Sequence, residues 1–227
     1  MSLTLAAPTG GCELKIQGRE LAVLIVVMAL ALSGCAEDRE PSPWDSIPQA
    51  RAHVDHGSFF TGKTFEDGPS VTKACLECHE QEAHDFMLTS HWTWRGDTVT
   101  AADGEAVEIG KANLINNYCI GIQSNEARCT SCHAGYGWRD NDFDFTDATL
   151  VDCLICHDNS GTYRKAIADA GNPEEGVDLM AVARSVGRPS RQNCGYCHFR
   201  GGGGDAVKHG DLDGSMYFPT ERIDVHM

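Results

Sequence analysis

Four pentapeptides of one pattern dominate the chemistry of this chain: CLECH at Cys75–His79, CTSCH at Cys129–His133, CLICH at Cys153–His157 and CGYCH at Cys194–His198. Eight of the eleven cysteines lie in them, and a histidine follows every Cys-x-x-Cys. Half of a zinc site also reads Cys-x-x-Cys, but neither zinc nor a disulfide framework requires a histidine directly after each pair. Two thiols two residues apart can reach both vinyl groups of one haem, and the next histidine then lies under the iron; this is the c-type attachment pattern. The reading is four covalently bound c-type haems. They are held by Cys75 and Cys78, Cys129 and Cys132, Cys153 and Cys156, and Cys194 and Cys197, with His79, His133, His157 and His198 as proximal ligands.

Each iron then needs a second axial group or an open position. Outside the motifs stand His53, His56, His84, His91, His209 and His226, together with Met87, Met180, Met216 and Met227. Six histidines suffice to saturate four irons, which describes a plain tetrahaem electron wire. His53 and His56, in HVDH, form a compact donor that serves two haems unless one of them is a surface residue. His226 is a late ligand candidate, and His84 and His91 are weaker ones.

Two features do not suit a plain wire. Cys119 is a spare thiol ten residues before Cys129; it is either a small buried apolar residue or a thiol in use. The run GGGGDAVKHGD, Gly201–Asp211, leads to Lys208. Glycines without Cβ atoms let a backbone approach a flat cofactor or substrate closely. A lysine amine can ligate iron if its proton is displaced; the alternative is a solvated charge.

The elements that must position these groups are short. About fifty residues per haem cannot build a conventional core, so haem faces must supply buried apolar area. The expected fold is mainly α with long loops, a haem-packed core and little or no sheet. Motif intervals of 54, 24 and 41 residues exclude a simple repeat. The stretch 74–92 is expected to turn helical after His79, and 98–113 to form a loop or small hairpin around Asp103 and Gly104. Over 178–187 an amphipathic helix shares Leu179, Val182, Ala183 and Val186 on one face, with Gly187 as cap.

The N-terminus reads as an export signal. Lys15 and Arg19 precede an unbroken apolar run of 12 residues, Leu21–Leu32, too short to span a bilayer comfortably. Leu32-Ser33-Gly34-Cys35 resembles a bacterial lipobox, which would make Cys35 the lipidated first mature residue; an ordinary signal peptide cut nearby is the alternative. Residues 1–34 are thus a lipoprotein-type leader that carries Cys12 away, 35–50 a polar, proline-bearing tether, and 51–227 the tetrahaem domain. The protein is expected to be exported, periplasm-facing and lipid-anchored. A net charge of −15 argues against nucleic acid, and against a membrane contact other than the lipid. Between Arg164 and Lys208 the balance reverses, with seven cations against five carboxylates.

The blocks NNYCIGIQSNEARCTSCHAGYGW, DFTDATLVDCLICHDNSGTYRK, SVGRPSRQNCGYCHFRGGGGDAVKHGDLDGSM and ERIDVHM resemble the octahaem tetrathionate reductase family, from about Ala50 to the end. The resemblance implies a catalytic haem on Cys129, Cys132 and His133, with Lys208 as its distal ligand. It also matches Cys119 to an active-site cysteine and Asp205 to an acidic neighbour, and casts the other haems as bis-His relays. Eight haems would be expected at full length, and this sequence is read as the N-terminal half. The implied activity is respiratory reduction of tetrathionate, or of nitrite or hydroxylamine with Asp205 or His209 relaying protons. Partners would be a periplasmic or membrane electron donor and a small sulfur or nitrogen oxyanion. A non-catalytic electron carrier is the alternative.

Overall fold

The computed structural model describes residues 54–201 and 203–225, which lie in one compact unit, His53–Met227. The leader, the tether, Cys35, His53 and His226 fall outside the described residues. Short helices and long connections make up this unit: α1 Gly68–Met87, α2 Ser90–Thr93, α3 Glu126–Cys129, α4 Cys153–His157, α5 Leu179–Arg184 and α6 Arg191–His198. One antiparallel hairpin, β1 Thr98–Thr100 with β2 Ala106–Glu108, is the named sheet of the described residues. Gly104 turns it with a φ of 90°, and both strands are exposed throughout. The fold is mainly helical with long loops, as expected.

Every attachment motif begins in or at the end of a helix, and local caps explain where those helices start. Asp67 and Ser70 form a reciprocal capping box and Pro69 sits in the first turn, so α1 begins at Gly68 rather than after His79. His79 itself departs from helical geometry (φ −118°, ψ 33°), which kinks α1 at the end of its motif. Asp152 caps α4 through the Ile155 N–H, and Ser190 with Asn193 makes a second capping box on α6. Asp178 caps α5, whose buried face is Leu179, Val182 and Ala183. That helix ends at Ser185. Gly187 does not cap it but pairs with His157: its N–H donates to the His157 carbonyl at 2.9 Å, and its carbonyl accepts from His157 Nδ1 at 2.7 Å.

Two apolar clusters hold these pieces. The larger gathers Val71, Leu154, Ile155, Tyr163, Leu179 and Val182 from α1, α4, α5 and a connecting loop. Thr72 ties α1 to the segment before α4 by donating to the Val151 carbonyl at 2.6 Å. The smaller cluster is aromatic, with Trp94, Trp138 and Ile122 packed against Phe143, Phe145 and the motif cysteines Cys129 and Cys132.

Candidate functional site

The four motifs are not neighbours in chain order. Cys75 lies beside Cys153 and Cys156 beside Cys194, and Cys197 donates to the Cys132 carbonyl at 3.6 Å. The spatial order is therefore first, third, fourth, second, with the Cys129–His133 motif at one end. All nine described cysteines are free thiols, and the eight in motifs stand where thioether bonds would form.

The histidines test whether these motifs suit a haem. A carbonyl accepts only, so an imidazole nitrogen bonded to one must carry the hydrogen, and the other nitrogen holds the lone pair that ligates metal. His157 Nδ1 donates to the Gly187 carbonyl at 2.7 Å and His198 Nδ1 to the Gly210 carbonyl at 2.5 Å, which leaves Nε2 of each for iron. His133 is turned the other way. Its Nε2 bonds the Trp92 carbonyl at 2.7 Å, and its buried Nδ1 has no hydrogen-bond partner. His157 and His198, each with Nδ1 fixed by the backbone and Nε2 open, fit c-type haem; at His133 the open nitrogen is Nδ1, buried against Gly135 and Trp92.

His133 is fully buried in a cage of Trp92, Trp94, Trp138, Phe143 and Phe145, with ring centroids 4.9–6.2 Å away. Burial drives its pKa down to about 3, and the charges of Lys165 and Lys111 add to the fall. The ring is therefore the neutral imidazole a metal requires. Gly135 makes the cage possible, since a Cβ there would stand 2.7 Å from His133 Nδ1 and 2.8 Å from Trp92.

Two cavities flank Cys132. One, of about 200 Å³, is lined by Lys111, Asn116, Asn117, Cys129 and Lys208 besides Cys132. The other, of about 320 Å³, is lined by Arg128, Ser131, Lys165, Tyr196 and Arg200. The Cys132 thiol is lowered to about 4 by a hydrogen bond from Cys197, against burial, with Lys208 and Lys111 as cationic neighbours and Lys208 as a further donor. The Cys197 thiol is pushed up as the other half of the same bond. Gly201 allows the glycine run to lie on this motif pair, because a Cβ there would meet the Cys197 carbonyl at 2.1 Å.

The structure brings some sequence-derived candidates together and separates others. Lys208 lies on Cys132, at the second motif. Cys119 is exposed and takes a left-handed φ of 56° directly after Tyr118 at 63°, a strained pair between the cavity residues Asn117 and Ile120. Asp205 turns away: it is exposed, faces Arg200 at 3.5 Å and accepts from the Gly214 N–H. His209 is exposed, with Nε2 on the Ile115 carbonyl at 2.8 Å and its backbone N–H on Asn116. The His56 ring lies 6.3 Å from that of His79, and the His91 ring 6.1 Å from that of His198. His84 is exposed.

Three groups escaped sequence reasoning. Lys111 is mostly desolvated, sits 4.5 Å over the Trp94 ring and has its pKa lowered by burial and by Lys208. A single lysine in a loop gives no sequence signal. The aromatic cage comes from three separate segments and gives none either. A buried Asp152–Lys165 pair lies beneath His133; here the aspartate directly before a Cys-x-x-Cys-His helix was a legible cap.

With this geometry in hand, the relatives can be placed. The family described as cytochrome c554 and c-prime matches residues 74–158. The crystal structure of an octaheme cytochrome c from Shewanella oneidensis is 54% identical, with a TM-score of 0.68 over 77% of this chain. The chain spans 38% of the length of that protein. No curated protein matches.

Proposed function

We propose that this chain, a multihaem c-type cytochrome with covalently bound haem, reduces a small anionic substrate at its second motif. One observation carries the reading: Lys208 reaches Cys132 from a distant segment, at the end of the spatial line of motifs, where a cavity of about 200 Å³ opens. The haems supply one-electron redox chemistry when bound.

The chain's own residues shape the rest. His133 offers a neutral nitrogen from a cage that holds out water. Lys208, Lys111 and Arg128 put three cationic side chains on the cavity wall, and Asn116 and Asn117 line it with amides. An anion meets a local positive potential here despite the net charge of −15. Lys208, with its proton displaced, would serve as an exchangeable ligand, and Cys119 at the cavity lip suits a sulfur–sulfur substrate through thiol exchange. For tetrathionate, two electrons break the central S–S bond to give two thiosulfates. Nitrite, an anion, fits the same cavity chemistry, whereas uncharged hydroxylamine gains nothing from its cations; Asp205 faces Arg200 rather than the cavity. Export and anchoring through Cys35, with a periplasmic or membrane electron donor, belong to the same reading, as do four haems in this chain.

The pairing of His56 with His79 and of His91 with His198 favours saturated bis-His relays at those motifs. Taken for all four motifs, it gives the second reading, an electron carrier without a substrate. Electron paramagnetic resonance of Lys208→Ala separates the two. Loss of one ferric haem signal together with substrate reduction is expected; an unchanged spectrum leaves the carrier.

A further inference from the structure

Beneath His133 lies a pair of charges shut off from water. The side chains of Lys165 and Asp152 are both 0% exposed and meet at 2.9 Å. Every contact the two groups make is one the charged pair can make. An ammonium has three N–H donors, and Lys165 Nζ has three acceptors: Asp152 Oδ2, the His133 carbonyl at 2.5 Å and the Gly135 carbonyl at 3.4 Å. An ionised carboxylate only accepts, and Asp152 takes four donors: Lys165, the Tyr136 hydroxyl at 2.8 Å, the Tyr163 hydroxyl at 3.0 Å and the Ile155 N–H at 3.1 Å.

The pair has a direction. Its negative end precedes Cys153 in the chain and caps the helix that carries Cys153, Cys156 and His157. Its positive end, the Lys165 ammonium, is bonded to the carbonyl of His133. A buried ion pair costs desolvation and is a weak device for stability alone, as an apolar pair of similar volume often serves as well. At long range the two charges cancel. Close by they do not, and the low dielectric of the interior strengthens the field each motif feels from its nearer end.

We propose that the Asp152–Lys165 pair is a fixed internal dipole that lowers the reduction potential of the haem at His157 and raises that at His133, so that electrons run downhill toward the Lys208 cavity. A cation beside a redox centre favours the reduced form and an anion the oxidised form. Asp152 and Lys165 act through the haem ligands and are positioning residues. The inference rests on haem at these motifs and not on what the last haem reduces.

The test is an electron-paramagnetic-resonance redox titration of the full haem-loaded chain. Asp152→Asn with Lys165→Met removes both charges and roughly keeps the volume. At a fixed potential the reduced-to-oxidised ratio of the His133 haem should fall about tenfold, or about 59 mV for one electron, and that of the His157 haem should rise. Unchanged midpoints at full haem content would overturn the proposal, even if the variant melts earlier. Should the double variant fail to load haem, Tyr163→Phe decides. It keeps both charges but strips one donor from Asp152, so the His157 haem should move to lower potential with the His133 haem nearly still; no movement refutes the dipole. Lys208→Ala, read separately for substrate reduction, can fail without touching either result.

Discussion

Two lysines approach the Cys129–His133 motif from different segments, and they are built for opposite tasks. Lys165 is sealed in, each of its three hydrogens spoken for by an oxygen. Lys208 stands half-buried on the wall of an open cavity that Cys129 and Cys132 also line. What separates them is their surroundings: Lys165 meets three carbonyl or carboxylate oxygens, and Lys208 shares a cavity wall with Lys111 and Arg128.

Breaking the sealed side should cost most. Lys165→Met leaves Asp152 buried and unpaired, and a loss of about 3–5 kcal/mol in denaturant unfolding is expected. Lys208→Ala should leave stability within about 1 kcal/mol yet lower substrate turnover about a hundredfold, or about 2.7 kcal/mol of barrier, in steady-state assays. A large stability loss in Lys208→Ala would erase the contrast.

The tyrosines sharpen the sealed side further. Burial first, and then the Asp152 charge, hold Tyr136 and Tyr163 well above the ordinary tyrosine range. An acid raised in the folded state favours folding fully below its unfolded pKa, about 10, and that contribution is lost as pH rises above it. Unfolding free energy should thus fall steeply above pH about 10. Tyr136→Phe should flatten that slope and cost about 1–2 kcal/mol at neutral pH from the lost bond to Asp152. Smallest of all is the exposed Lys63–Glu77 pair, at 2.6 Å with side chains 33% and 62% exposed. Glu77→Gln should change stability by less than about 1 kcal/mol, and less still in high salt.

Much of the site was legible because the chemistry of attachment is local. The motifs, the Asp103–Gly104 hairpin and the apolar face of α5 are each written within a few residues. The start of α1 was also local, in Asp67, Pro69 and Ser70, but the motif drew attention past it. Gly187 was read as a cap from its position, and only the fold shows that its backbone partner is His157. The spatial order of the motifs, the cage around His133 and the approach of Lys111 depend on contacts between distant segments. No periodicity encodes them. Lys208 stood out only by resemblance, because spacing alone did not require it.

The crossed order of the motifs has a consequence for biogenesis. Cys75 lies beside Cys153, and Cys197 beside Cys132, so each pair joins two different motifs. Before its haems are attached, a chain that folded this way in an oxidising compartment would bring together thiols that belong to different cofactors. Oxidation there would cross-link them into mispaired disulfides and take one cysteine from each of the four motifs. Keeping these thiols reduced until the thioether bonds form would therefore favour correct haem loading.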